Sequence, residues 1–274
     1  MEGVFRLSLR YDPLETARCV SLPFGDVSFK CGDLRIGVTI GTIVLAWTAL
    51  LELFSLAAVR TILKEKGGRV KYATALWYNL VNMLILLPAG YAVAAPHFTE
   101  GASPAAMVLT GVGTVVSQSF GYYMVHKAMH TPRLYPIHKF HHTFHSTVCP
   151  LSANAVSFWE YNLAYSSPFV LGSMLLKPAR HAFLAVSLFL AALNGIIHTP
   201  RLAALSARVT PWWWTSTHDH LEHHRSITTN FAAPALSVDR ILARASGASP
   251  AARRSEGEER PTRVLRSAAK GKAA

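Results

Sequence analysis

The chain has 274 residues, 51% of them hydrophobic and 15% charged, and a formal net charge of +12. So apolar a balance excludes an ordinary soluble domain and points to a membrane protein. The basic excess clusters after the first apolar stretch and in the C-terminal tail, as juxtamembrane charge does beside anionic lipid, and no nucleic-acid recognition module accompanies it.

Residues 1–35 are mixed and charged, without the bracketed apolar core of a cleavable signal peptide. A first span is expected over 36–59, long enough at about 1.5 Å per residue to cross a ~30 Å hydrocarbon core. Glu52 lies inside it, placed to face the bundle or pair with a neighbour. Arg60, Lys64, Lys66, Arg69 and Lys71 follow, opposed only by Glu65, so the positive-inside rule sets this loop in the cytosol. A second span over 73–95 leads to a loop, 97–104, with no lysine or arginine, hence lumenal. A third over 105–125 returns to the cytosolic face. Residues 151–176 and 182–197 are apolar again, as two crossings or a deep hairpin, and Lys177 and Arg180 at the tip argue against a lumenal tip. Counting crossings leaves the N-terminus lumenal.

Trp212, Trp213 and Trp214 read as an interfacial aromatic belt, with the lining of a lipid entry as the alternative. From Ala243 onward the composition is that of a disordered basic tail. Cys19, Cys31 and Cys149 show no paired or C-x-x-C spacing, so reduced or packed thiols are expected. The chain thus divides into an N-terminal segment (1–35), N-terminal transmembrane helices (36–104), a histidine-rich domain (105–244) and a tail (245–274).

The chemistry is concentrated in histidines. His126 and His130 are spaced i,i+4, and His138, His141 and His142 follow as H-x-x-H-H. His220, His223 and His224 repeat that spacing downstream. On a helix each set shares one face. Imidazole is the commonest metal ligand and suits iron or zinc. Eight unpaired imidazoles at a membrane boundary would cost heavily, and coordination satisfies them together. His198, at the end of the last apolar segment, is read as a ninth ligand. Eight or nine nitrogens exceed the roughly four to six that one ion takes, which implies two metals, and open positions for oxygen favour iron over a closed zinc site. His97 and His181 read as ordinary polar residues of connections, and His145 and His218 as neighbours of the clusters or surface groups. Glu160, Asn230 and Asp239 are candidates to orient ligand imidazoles through N–H···O contacts. Their ordinary alternatives are a buried polar pair for Glu160 and caps or turns for the other two.

With these residues in place, the chain resembles the fatty acid hydroxylase / sterol desaturase superfamily of membrane di-iron enzymes, which includes sterol C4-methyl oxidases, sterol C5-desaturases and lipid hydroxylases. The family pattern, H-x(3,4)-H and two H-x-x-H-H boxes, matches His126/His130, His138/His141/His142 and His220/His223/His224. Relatives often continue with Asn-Phe-Gly and Trp-Asp-Arg-Leu-Phe-Gly-Thr, where this chain has Asn230-Phe231-Ala232 and the run from Val238 through Asp239 and Arg240 to Arg244. The similarity covers 105–244. It departs at a His-Pro-x-Glu element, which here reads Ser157-Phe158-Trp159-Glu160.

The resemblance implies an all-α, multi-pass transmembrane helical bundle with a cytosolic histidine-rich di-metal cap. It implies two irons per chain and O2-dependent hydroxylation or desaturation of a sterol or fatty acyl chain. Electrons would come from cytochrome b5 or a similar donor, and eukaryotic relatives reside in the endoplasmic reticulum membrane. Lys270-Gly271-Lys272-Ala273-Ala274 matches the retrieval signal of that compartment. Two other readings compete. A membrane metal transporter would carry its histidines mid-membrane, whereas these sit in connections beside Lys127, Arg133 and Lys139. A catalytically inactive family member is the reading suggested by Ser157.

Overall fold

The computed structural model describes residues 18–21, 28–145 and 147–247. Most of the expected basic tail, and Lys270 and Lys272 with it, lie outside the described residues. A two-stranded antiparallel hairpin, β1 (Arg18–Ser21) and β2 (Ser28–Lys30), runs straight into α1 (Cys31–Phe54). The helix therefore begins ahead of the expected span and crosses the boundary drawn at residue 35. It stops at Ser55, whose φ of −110° and ψ of 20° break it, and the basic residues begin on a separate helix, α2 (Leu56–Lys64).

Next, α3 (Gly68–Val81), a π-helical turn (Asn82–Leu86) and α4 (Leu87–Ala94) form one rod. The π turn immediately precedes Pro88, whose missing N–H and bulky ring a regular helix interior would not accommodate. Helix α5 (Pro104–Met129) is capped by Ser103, whose hydroxyl accepts from Ala106 N at 3.3 Å. A short helix α6 (Tyr135–His138) and 3-10 turns (His141–Phe144 and Pro150–Asn154) lead to α7 (Phe158–Glu160), which continues through a π turn (Tyr161–Ser166) into α8 (Ser167–Leu176). Helices α9 (Arg180–Ile197), α10 (Ala203–Val209), α11 (Thr217–Ser226) and α12 (Val238–Ala245) complete the described chain.

Among the described residues, three helices are long and apolar enough to cross a membrane: Cys31–Phe54, Gly68–His97 and Arg180–Ile197. The protein is an all-α multi-pass membrane bundle. Leu53, Leu109 and Leu175 point outward and are more than half exposed, a liability in water but the normal state against lipid. Inside, Ile40, Val44, Met83, Tyr91 and Phe183 pack together. Gly41 sets how close α1 comes to the second rod, because a Cβ there would stand 1.9 Å from the carbonyl oxygen of Met83. Only a residue without a side chain allows that approach.

Two expectations about the last passes need correction. The apolar stretch from 151 is not helical until Phe158; residues 150–157 form an irregular, largely buried connector. Buried carbonyls must find donors, and two asparagines inside the second rod supply them. The Asn79 amide donates to Leu151 O at 2.8 Å, and that of Asn82 to Asn154 O and Val156 O at 2.9 and 3.0 Å. Glu52 faces the bundle and accepts from Leu151 N at 2.6 Å. The tip between α8 and α9 also lies elsewhere than its charges suggest. Thr99 N donates to Pro178 O at 2.9 Å, and Arg180 pairs with Asp33 at 2.9 Å and Glu100 at 3.0 Å. The tip therefore sits at the same end of the bundle as loop 97–104 and the start of α1, its arginine neutralised by two carboxylates.

At the other end Arg201 donates to Phe54 O at 3.0 Å and Tyr72 reaches Glu52 at 3.1 Å. Among the described residues, five helical segments run between the two ends, α1, the α3–α4 rod, α5, α7–α8 and α9, and of these α1, the rod and α9 are long and apolar enough to cross a membrane. The expectation of reduced thiols holds for the buried, free Cys149 but not for Cys31, which is disulfide-bonded.

Candidate metal centre

All nine histidines expected as ligands meet at the end of the bundle that holds α2, and they form two groups. His126, His130, His138, His142 and His223 make one; His141, His198, His220 and His224 make the other. Within each, one ligand atom per residue lies within 4.8 Å of all the rest. The split runs through the sequence boxes. Each H-x-x-H-H gives its i,i+4 pair to one group and its middle histidine to the other. His138 and His142 leave His141 to the second group, and His220 and His224 leave His223 to the first. The expectation that each box faces one way is thus corrected: i and i+4 share a face, and i+3 lies far enough round to reach a second centre. The two groups abut, with the His141 and His224 rings 4.6 Å apart and those of His142 and His224 5.0 Å apart.

The outward contacts determine what the inner nitrogens are. His126 Nδ1 lies 2.6 Å from Phe231 O, His223 Nδ1 2.7 Å from Thr229 O and His198 Nδ1 2.7 Å from Asn194 O. His138 Nδ1 lies 2.5 Å from Glu160 Oε1. Oxygen there is the acceptor, so each Nδ1 carries the proton and each Nε2 of a neutral ring presents a bare lone pair. Yet these lone pairs converge. His126 Nε2 is 3.0 Å from His138 Nε2, and the bare His198 Nε2 faces His220 Nε2 at 2.9 Å. The His126 and His138 lone pairs cannot hydrogen-bond to each other; a shared cation relieves them. Donors bound to one ion at about 2.1 Å stand roughly 3.0–3.4 Å apart, close to the spacing seen. His223 Nε2, buried and without a hydrogen-bond partner, points to the same need. The donor set fits metal.

Protonation offers no escape from that repulsion. Burial pushes His138, His141, His142, His220 and His224 well below the ordinary imidazole range, and neighbouring imidazoles add to it. His130 is pushed down to about 3 and His223 to about 4, in both cases chiefly by burial. Neutral imidazole is the ligating form.

Local structure aims these rings. His126 lies in the last turn of α5. Helix α11 is started by a reciprocal cap in which Ser216 Oγ accepts from Asp219 N at 3.1 Å and Asp219 Oδ2 from Ser216 N at 3.2 Å. Ser216-x-x-Asp219 is a readable capping signal, and it sets the register of His220, His223 and His224. Ile227 then turns left-handed at φ 54° and ends the helix, and the chain folds back so that Thr229 O meets His223.

Among the orienting candidates, Glu160 holds His138 directly. Asn230 and Asp239 touch no imidazole, which corrects their expected role. Asn230 sits at φ 55° between the two carbonyls that bind His223 and His126, and its side chain donates to Asp219 O at 3.4 Å. Asp239 accepts from Ala232 N at 2.7 Å and so pins the same strand of backbone. Orientation is carried by backbone carbonyls, which leave no mark in side-chain identity. Ser157 belongs to neither group. Its hydroxyl donates to Ile137 O at 2.9 Å and accepts from Glu160 N at 3.2 Å, so it starts the helix that presents Glu160. His145, His181 and His218 are exposed and His97 half-buried, outside both groups.

Beneath the histidines lies a mostly apolar cavity of about 110 Å³, lined among others by Ile40, Met83, Tyr122, Phe169, Phe183 and Leu190. Its upper wall is shared with the metal groups. Tyr122 packs on the His126 ring at 4.9 Å between centroids, and Asn194, whose carbonyl holds His198, also lines it. Trp212, Trp213 and Trp214 do not line this cavity; Trp212 and Trp213 are exposed, as an interfacial belt would be.

Comparison with known proteins agrees with this geometry. Neither the curated proteins nor the solved structures contain a match to the chain. Among protein families, the fatty acid hydroxylase family matches residues 111–243, the stretch from α5 to α12 that supplies all nine histidines. The protein is a membrane protein that carries a fatty acid hydroxylase family domain, consistent with the wider fatty acid hydroxylase / sterol desaturase superfamily.

Proposed function

We propose that the chain is a di-iron lipid oxidoreductase that uses O2 to hydroxylate or desaturate an alkyl carbon of a sterol or fatty acyl chain held in the cavity below the histidines. The observation that carries this reading is the convergence of unprotonated imidazole nitrogens on two points directly above an apolar cavity. Bound iron would supply the oxygen activation needed to break an unactivated C–H bond. His126, His130, His138, His142 and His223 would hold one ion, and His141, His198, His220 and His224 the other. The set of four leaves room for a further ligand, as oxygen chemistry requires. Phe231 O, Thr229 O, Asn194 O and Glu160 keep the rings in one tautomer and orientation. Tyr122, Tyr165 and the apolar wall exclude water and aim one carbon at the centre. Both donor sets are filled without a histidine at 157, which favours an active enzyme over an inactive relative. A transporter fits less well, because the histidines gather at one end and the space below them is apolar.

The electron donor would be cytochrome b5 or a similar acidic carrier, docking on the exposed Lys64, Lys66, Arg69, Lys127, Arg133 and Lys139 near the half-buried His130. We place this end in the cytosol of an endoplasmic reticulum protein. The basic loop supports that, and so does the disulfide at Cys31 on the opposite end, since disulfides persist in oxidising compartments. The test is iron analysis with Mössbauer spectroscopy of protein expressed on enriched iron, followed by lipid analysis of the host. About two coupled irons per chain and a new hydroxylated or unsaturated lipid are expected. Absence of coupled iron, under conditions that load a known relative, overturns the reading.

A further inference from the structure

A residue of the cavity wall carries a buried polar atom with no protein partner. Gln118, on α5, is 3% exposed and lines the cavity, and its Oε1 is buried without a hydrogen bond. Three other polar groups nearby are bonded within the protein. Tyr165 donates to Ala153 O at 3.1 Å, Ser187 to Phe183 O at 2.8 Å and Asn194 to Ala153 O at 3.2 Å. An amide oxygen buried in an apolar wall with no donor to meet it is costly. It is kept where something else completes it.

Gln118 is also well placed. Gln118, Tyr122 and His126 follow at i, i+4 and i+8 along one buried face of α5. Tyr122 bridges the cavity to the His126 ring, and eight residues at 1.5 Å put Gln118 about 12 Å below the histidines along the helix. A lipid lying along that face would have its reacting carbon near the metal groups and another part of its body beside Gln118. An amide offers both an acceptor and a donor, and a hydroxyl answers both.

We infer that Gln118 is a specificity residue that reads a hydroxyl group on the substrate, about 12 Å from the carbon that reacts. The substrate is then a lipid that already carries an alcohol, not a plain hydrocarbon chain. The inference rests on the reading of this cavity as the lipid site. It also sets a place in a reaction order: a step that installs or unmasks the hydroxyl precedes this one. Because the site must satisfy a buried polar group, it discriminates against a deoxy analogue far more sharply than an apolar pocket can.

The test is a binding comparison on the full-length, metal-loaded protein in nanodiscs, with two probe pairs: cholesterol against cholest-5-ene, and 1-hexadecanol against hexadecane. Affinity is read by competition with a fluorescent lipid, which needs no turnover. In the wild type, the alcohol of one pair should bind about tenfold tighter than its deoxy partner, and the pair that responds names the skeleton. In Gln118→Met, similar in length and apolar, that ratio should fall to near one while metal content stays at the wild-type level. Equal binding within both pairs in the wild type overturns the inference without recourse to any variant. So does a preference that survives in Gln118→Met. Metal content is measured on the same samples, so loss of the di-iron reading is seen separately from loss of the hydroxyl preference.

Discussion

At the scale of residues, the centre depends on bonds that keep lone pairs aimed inward. Glu160 is the one side chain that does this, through His138 Nδ1 at 2.5 Å. Glu160→Gln keeps an acceptor but removes the charge and lets the amide turn its N–H₂ toward the ring. Partners of this kind typically matter about 10- to 100-fold in metal affinity, and that loss is expected in a chelator competition assay. His141→Ala and His223→Ala should each lower bound metal and abolish turnover, because each is the residue its box lends to the other group. Full activity in either would sink the assignment. Acid acts on the same atoms. His130 and His223 titrate at about 3 and about 4 in the fold, against 6.5 for a free imidazole. Between those values the unfolded chain binds more protons than the folded one, so stability is fully present above about 6.5 and declines as pH falls toward 4. Metal release should follow the same window, read as iron retained after dialysis across a pH series.

At the scale of elements, close helix contact and buried amides hold the scaffold. A Cβ on Gly41 would meet backbone, the Met83 carbonyl at 1.9 Å, whereas one on Gly113 would meet only the flexible Leu176 side chain at 3.1 Å. Gly41→Ala should therefore cost about 1–3 kcal/mol or more, and Gly113→Ala much less, as a difference in melting temperature in detergent. The connector 150–157 is where local reading fails. Its apolar residues look like the start of a span, yet it is held irregular by Asn79, Asn82 and Glu52, all far from it in the chain. Hydropathy measures the side chains of a segment, not where its backbone groups find partners. The spans themselves were legible because their apolar length is local.

At the scale of the whole molecule, the bundle puts the strands Arg18–Ser21 and Ser28–Lys30 and the histidines at opposite ends. Lys66→Cys and Glu100→Cys should label from opposite faces of sealed vesicles with an impermeant maleimide. Labelling of both from one face would overturn the reading of the rod Gly68–His97 as a membrane crossing. Composition, charge and histidine spacing alone determined that this is a helical membrane protein with nine imidazoles suited to metal, because apolar length and helical periodicity are properties of short segments. The sorting of those imidazoles into two groups, the carbonyls that orient them and the cavity beneath were decided by tertiary structure. His126 meets its carbonyl partner 105 residues away, and no local pattern records a contact that exists only once the helices have packed.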